Sequence, residues 1–178
     1  ALRRAGAEVH EQTIDRPGLA ELRAMPGEVV FPVLHGPWGE GGVLQELLEQ
    51  DGRPYIGCAP AAARLAMDKP ASKRAVAEVG VPTPDSQVLR AGDRLTLSPP
   101  LVLKPCDDGS SVDLRVCGTV EDAARARAEI HPRRPTLLAE SFISGREVTI
   151  GMLEDRELPL IEVRPKCGLY DYEAKYNR

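Results

Sequence analysis

Apolar and polar residues follow different patterns in the first third of this chain and in the remainder. In the first third, short strands are predicted at residues 8–14, 28–34 and 54–58. The run at 28–34 is apolar at nearly every position, which is typical of a strand covered on both faces in an α/β sheet, although Pro32 disfavours a central strand. A Gly-rich loop and a helical stretch follow it, so the pattern predicts an α/β domain.

Four helical stretches are predicted around these strands, with glycine or proline close to their ends. They are the end of a helix at residues 1–7, and residues 43–50, 60–67 and 69–79. Pro70 lies in the first turn of the last one, where a missing N–H is tolerated.

From residue 86 onward the pattern changes to short strands, at residues 87–90, 101–106, 114–117, 136–140, 147–153 and 158–163. One helix is predicted among them at 120–129, with Thr119 as its N-cap and Asp122 at its third position. Antiparallel strands flanked by helices indicate an α+β module. We therefore place a domain boundary near residue 64.

Composition and charge exclude some classes of function for this chain. The 178 residues are 42% hydrophobic, which suffices for a packed core, and the net charge of −4 comes from interspersed acidic and basic residues. This excludes a purely electrostatic nucleic-acid binder and a polybasic membrane patch. No apolar run approaches the ~20 residues that span a bilayer, and no signal-peptide pattern opens the chain, so we expect a cytoplasmic protein.

The four cysteines lack the spacing of a zinc site or a disulfide framework. Free, partly buried thiols are expected at Cys58, Cys106, Cys117 and Cys167. Cys106 and Cys117 flank one loop and could come close to each other across a pair of strands, which the sequence does not decide.

Phosphate chemistry is suggested by two lysines. Lys104 ends an apolar strand before the turn Gly109-Ser110-Ser111, where a lysine can neutralise phosphate charge while backbone N–H groups and hydroxyls bind its oxygens. A surface lysine before an ordinary hairpin turn is the alternative. The turn is not a Walker-type loop, because the GxxxxGK[ST] pattern is missing. Lys69, between two helices, is either a second phosphate ligand or a solvated helix-start lysine.

Carboxylates after the predicted strands suggest recognition of a nucleoside. Glu140 follows an apolar run and has Phe142 and Ile143 as apolar walls, which suits the amino group and edge of a purine. The alternative is an ordinary strand-end glutamate. Glu147 begins a strand and either accepts hydrogen bonds from a ribose or is solvated.

A histidine and a tyrosine cluster complete the candidate residues. His35 lies at the carboxyl end of the 28–34 run, where open α/β sheets bind ligands, or else it orders the Gly-rich loop. Glu40 would orient His35 or cap the following helix. Near the end of the chain, Tyr170-Asp-Tyr-Glu-Ala-Lys-Tyr176 combines phenols, carboxylates and an ammonium. This composition suits a loop that closes over a charged ligand and excludes water.

These motifs occur in a distinctive order. They are His35-Gly-Pro-Trp-Gly-Glu40, Met67-Asp68-Lys69, Leu103-Lys104-Pro105 with Gly109-Ser110-Ser111, Glu140-Ser-Phe-Ile-Ser-Gly-Arg-Glu147, and Tyr170 to Tyr176. Together they resemble D-alanine–D-alanine ligases of the ATP-grasp superfamily. The resemblance covers nearly the whole chain.

The resemblance implies an α/β N-terminal (pre-ATP-grasp) domain followed by α+β ATP-grasp lobes, incomplete in this chain. Residues 1–63 would be part of the N-terminal substrate domain, 64–140 the central lobe, and 141–178 the start of the C-terminal lobe with its lid loop. ATP would lie between the two lobes.

The resemblance also implies a role for each matching residue. Phosphates would contact Lys69, Lys104, Ser111 and Lys175, the last at the γ-phosphate. The adenine region would contact Glu140, Phe142 and Ile143, and the ribose Glu147. His35 and Glu40 would bind the first D-alanine. Ser110 would hydrogen-bond to Tyr176 and help to position the substrates.

The implied reaction has two steps and serves peptidoglycan precursor synthesis. The carboxylate of one D-alanine attacks the γ-phosphate of ATP, giving an acyl phosphate and ADP, and the amine of a second D-alanine then displaces the phosphate. The family's first substrate-binding strand would precede residue 1, and its Mg²⁺ ligands would lie beyond Arg178. We therefore expect no activity from this chain alone. For the full-length protein we expect a homodimer.

Three departures from the family pattern leave alternatives open. Gly41 replaces a helix-start aspartate, Ser141 replaces a frequent lysine, and Asp113 stands where glycine is usual. If residue 113 needs a positive φ near phosphate, aspartate would add strain and like-charge repulsion. A D-alanine–D-lactate or other ATP-grasp ligase, and a non-catalytic nucleotide-binding module, are the competing interpretations.

Overall fold

The computed structural model describes residues 1–165 of the chain. They belong to two compact units, one of residues 1–72 and one that begins at residue 73. The division falls within a helix, and the three domain ranges taken from the sequence stay a prediction.

The first unit is mainly helical. A short 3-10 helix at Leu2–Ala5 ends at Gly6, whose φ of 90° lies in the left-handed region. The α-helices follow as α1 (Leu19–Ala24), α2 (Gly36–Glu40), α3 (Val43–Asp51), α4 (Pro60–Met67) and the start of α5 (Lys69–Glu78). The helices predicted at 43–50, 60–67 and 69–79 are confirmed.

The three strands predicted in this unit are wrong. In place of strands at 28–34 and 54–58, one isolated parallel bridge joins Val30 to Tyr55, and residues 8–14 are irregular. Val30 donates to Pro54 O and accepts from Ile56 N, both at 2.9 Å. The bridge does not extend into a pair of strands, because Val29 and Val33 are exposed to solvent and Pro32 has no N–H to donate.

A small core holds the first unit together. Leu22, Leu44 and Leu48 are buried, and Trp38 and Tyr55 are among the residues that pack against them. These leucines come from α1 and α3, which therefore pack face to face.

The second unit is built on a four-stranded antiparallel sheet of β1 (Ser86–Arg90), β2 (Leu101–Pro105), β3 (Arg115–Cys117) and β4 (Thr136–Ser141). The strand order is β1-β4-β2-β3, so the last strand in the sequence lies between the first two. All four strands were predicted to within one or two residues.

Helix α6 (Val120–Ile130) covers one face of this sheet. Thr119 and Asp122 form the predicted capping box, in which Asp122 N donates to Thr119 Oγ1 at 3.0 Å. Ala123 and Ala126 of the helix pack on Leu89, Leu101 and Leu103 of the sheet, all of them buried. The predicted α+β arrangement is confirmed.

Two short hairpin-like pairs follow the sheet. Strand β5 (Glu147–Thr149) pairs with β8 (Ile161–Val163), and β6 (Met152–Leu153) pairs with β7 (Arg156–Glu157). The single strand predicted at 147–153 is therefore two strands, interrupted at Ile150 and Gly151. Among residues 1–165, no helix combines the length and apolar character needed to cross a bilayer.

Candidate functional site

Glu140 lies near the end of the central strand β4, where both neighbouring strands pair with it. Its Cα partners are Ser86 on β1 and Val102 on β2. Strands on both sides leave the residue 8% exposed. A carboxylate at this depth requires partners, because burial penalises its charge.

Two lysines supply those partners. Lys104 lies two residues beyond Val102 on β2 and thus on the same face of the sheet as Glu140, and its Nζ pairs with Glu140 Oε2. Lys73 reaches the other oxygen from α5, with Nζ 2.7 Å from Oε1 and 2.7 Å from the carbonyl oxygen of Pro84. Each carboxylate oxygen is therefore matched by one ammonium group.

Glu140, Lys73 and Lys104, which we call the trio, are charged groups in direct contact, and this contact sets the protonation state of Glu140. Burial raises the pKa of Glu140, but the hydrogen bonds from Lys104 and Lys73 act against it and hold the pKa below its ordinary value. Glu140 is therefore ionised at neutral pH, with one excess positive charge in the trio. An anion that approached the trio would meet a net attraction.

Sequence reasoning missed Lys73. Lys69 and Lys73 are four residues apart on one helix and therefore share a face, which was the available signal. The partner of Lys73 lies 67 residues further along the chain, so its role became visible only when β4 was placed.

The Gly109-Ser110-Ser111 turn joins β2 to β3 and is unusual in its backbone. Ser110, Ser111 and Asp113 have φ values of 53°, 58° and 56°, in the left-handed region that non-glycine residues seldom adopt. The positive φ considered for residue 113 is therefore present. The structure gives Asp113 two cationic partners, Arg133 and Arg134, so its charge is matched.

The residues expected around adenine and ribose follow Glu140: Phe142 and Ile143 lie in the connection between β4 and β5, and Glu147 begins β5. Phe142 N donates to Pro100 O at 3.0 Å, which fixes the chain as it leaves β4. Ile143 is 67% exposed, and Glu147 lies on β5 with its side chain exposed. The roles assigned to these residues stay predictions.

His35, Glu40 and Lys69 lie in the first unit. Glu40 Oε2 accepts from Gly36 N at 2.8 Å, so the carboxylate caps α2, and its other oxygen lies 3.8 Å from His35 Nδ1. A Cβ at Gly41 would lie 2.3 Å from Pro37 O, so a larger residue at this position would require the end of α2 to shift. Lys69 begins α5.

Two predicted site residues, Lys175 and Tyr176, lie outside the described residues, as does the rest of the tyrosine cluster. In the part of the chain that the structure describes, no group of three or more His, Cys, Asp or Glu side chains could hold a metal ion. Cys58 and Cys117 are free thiols.

Comparison with known proteins gives consistent matches over both units. Family models described as D-ala D-ala ligase N-terminus and D-ala D-ala ligase C-terminus match residues 4–58 and 78–178. The D-alanine–D-alanine ligase of Syntrophotalea carbinolica is 40% identical over 99% of this chain and 59% of its own length. The chain spans about three fifths of the length of the curated relatives it matches.

Solved structures agree with this result. A D-alanine–D-alanine ligase from Bacillus anthracis has a TM-score of 0.78 at 27% identity, covering 98% of this chain and 59% of its own. A structure of the B. anthracis enzyme complexed with ATP has a TM-score of 0.70 at 26% identity, covering 80% and 50%.

Proposed function

The chain belongs to the D-alanine–D-alanine ligase family, and from this premise we propose that the whole protein joins two D-alanine molecules with ATP. The carboxylate of the first D-alanine would attack the γ-phosphate, releasing ADP and forming an acyl phosphate. The amine of the second would attack that carbonyl and displace phosphate. The product would serve peptidoglycan precursor synthesis.

One observation carries the proposal: Lys104 and Glu140, two residues assigned to the nucleotide, are neighbours on one face of a sheet. Glu140 is held ionised and can accept a hydrogen bond from an amino group such as that of adenine. Lys104 remains 24% exposed at its side chain, so it can exchange Glu140 for a phosphate oxygen.

This exchange would leave Glu140 with its charge still matched. Lys73 stays on Oε1 when Lys104 turns away, so the carboxylate keeps one ammonium partner. The Gly109–Ser111 turn follows the strand that carries Lys104, and its hydroxyls and backbone N–H groups would bind phosphate oxygens. Catalysis would then depend mainly on positioning and electrostatic stabilisation.

The remaining assignments rest on the family alone. They are Lys69 and Lys175 at the phosphates, Glu147 at the ribose, His35 and Glu40 at the first D-alanine, and Tyr176 bonded to Ser110. A homodimer and a cytoplasmic location belong to the same proposal. Mg²⁺, with its ligands expected outside this chain, belongs to the same proposal.

The test is ADP release by the intact protein with D-alanine, followed by mass analysis of the product. We expect D-alanine-dependent turnover, and a Lys104→Gln variant with kcat/KM for ATP lower by about 10²–10³. Arg115→Gln on the neighbouring strand β3, which removes an exposed ion pair to Glu129 of α6, is the matched control and should stay within about twofold.

Three outcomes would contradict the proposal. A depsipeptide formed preferentially with D-lactate would make the protein a D-alanine–D-lactate ligase. Nucleotide binding without turnover by the intact protein would favour a non-catalytic module. Equal activity of Lys104→Gln and Arg115→Gln would remove Lys104 from the site.

A further inference from the structure

The turn between β2 and β3 adopts a conformation that its own residues do not favour. Three non-glycine residues within four positions have positive φ. Two backbone hydrogen bonds stay within the turn, from Val112 N to Gly109 O at 3.1 Å and from Leu114 N to Ser111 O at 3.3 Å. Aspartate tolerates this region better than serine does, so the conformation costs more at Ser110 and Ser111 than at Asp113.

Two consecutive arginines bind the aspartates on either side of the Gly109-Ser110-Ser111 turn. Arg133 Nη2 lies 2.6 Å from Asp113 Oδ1, and Arg134 Nε donates to Asp113 Oδ2 at 3.1 Å. Arg134 Nη2 pairs in addition with Asp108. One guanidinium thus joins a residue before the turn to a residue after it. We call Asp108, Asp113, Arg133 and Arg134 the arginine clamp.

The arginines are themselves fixed to the core. Both backbone N–H groups donate to the carbonyl oxygen of Ile130, at 3.1 Å and 3.0 Å, and Ile130 is fully buried at the end of α6. Arg133 Nη1 also donates to Glu129 O at 2.6 Å. The clamp therefore connects the turn to the junction of α6 and β4, the strand that carries Glu140.

Charge and burial make the clamp more than a surface ion pair. The side chains of Asp113 and Asp108 are 11% and 15% exposed, and the forked guanidinium geometry engages both aspartates. Two positive and two negative groups give a net charge of zero, so the clamp places no uncompensated negative charge beside the turn.

We propose that Arg134, acting with the other residues of the arginine clamp, is a positioning residue that holds the Gly109-Ser110-Ser111 turn in the shape that receives the phosphates of ATP. The positioning role rests on the proposed function. Asp113, at a position where glycine would have left the turn free, links the turn to the arginines.

Hydrogen exchange of the ligand-free, intact protein tests the clamp without any nucleotide. Arg134→Gln should raise exchange in a peptide covering residues 107–114 about tenfold and leave peptides of β2 and β4 unchanged. Arg125→Gln is the matched control, because it removes an exposed ion pair to Asp122 on α6. Asp113→Asn keeps the tolerance for positive φ but removes the charge, and should behave like Arg134→Gln.

The double variant Asp113→Asn/Arg134→Gln should exceed either single variant by less than the sum of their effects, since both remove one network. If Arg134→Gln fails to fold, Asp113→Asn alone carries the comparison. Unchanged hydrogen exchange of residues 107–114 in a folded variant would overturn the proposal that the arginine clamp holds the turn.

Kinetics then test the positioning role. Arg134→Gln should raise the KM for ATP and the dissociation constant of the analogue AMP-PNP about tenfold, with the KM for D-alanine unchanged. Faster exchange with unchanged ATP kinetics would overturn positioning. No binding of AMP-PNP by the wild-type protein would overturn the proposed function, and positioning with it, while the exchange data still report on the clamp itself.

Discussion

Replacing Lys73 by methionine should destabilise the protein measurably, because Lys73 is one of two cations on a buried carboxylate. Removing a partner from an isolated buried ion pair costs about 3–5 kcal/mol. Lys104 remains on the second oxygen of Glu140, which lowers this cost, whereas the Pro84 carbonyl loses its donor at about 1 kcal/mol. We expect a loss of about 2–3 kcal/mol in the free energy of unfolding.

Urea unfolding followed by circular dichroism is the appropriate assay. Fluorescence of Trp38 reports the core of the first unit and would miss a local loss of stability in the second. Arg125→Met, on an exposed ion pair, is the control and should cost no more than about 1 kcal/mol. Equal destabilisation by the two substitutions would refute the view that the trio is a buried, coupled site.

Two further predictions concern acid stability and the sheet. The folded-state pKa values of Glu140 and Asp113 lie below their ordinary values, so the unfolded chain binds more protons in mild acid. The free energy of unfolding should therefore decrease as the pH falls from the ordinary glutamate pKa of 4.5 through the lower folded-state pKa values. In urea titrations at several pH values, Glu140→Gln should make this decrease smaller. An unchanged dependence on pH would contradict the prediction. Leu103→Ala, at a fully buried position of β2, should cost about 2–5 kcal/mol in the same assay. Val116→Ala, on the partly exposed neighbouring strand, should cost much less, and equal costs would argue against the core described for this sheet.

Local sequence signals predicted the second unit well. Helix α6 begins at a capping box formed by Thr119 and Asp122, which are adjacent in sequence to the helix they start. Its alanines are small enough to approach the sheet closely. Such signals need no knowledge of distant residues, and the strands around α6 were bounded by turn residues in the same way.

Strand prediction failed in the first unit because a strand depends on partners that local sequence does not specify. The run at 28–34 has strand-like composition, yet within residues 1–165 it pairs only at Val30, with Tyr55. The candidate site shows the same limit. Lys104 and Glu140 were each identified from their position at a strand end, but their pairing with each other, and the contribution of Lys73, follow from the register of β2 on β4.

The strand order β1-β4-β2-β3 has a consequence for how this unit is made. The central strand is the last of the four to leave the ribosome, so β1 and β2 have no shared partner until residues 136–141 have been synthesised. Until then both strands have edges with unpaired N–H and C=O groups, which favour association with other chains. Closing the sheet requires contacts between distant residues such as Leu89 and Leu137, so we expect it to be slower than the formation of local elements such as α6. Arrival of β4 completes the sheet and brings Glu140 to its two lysines in the same event.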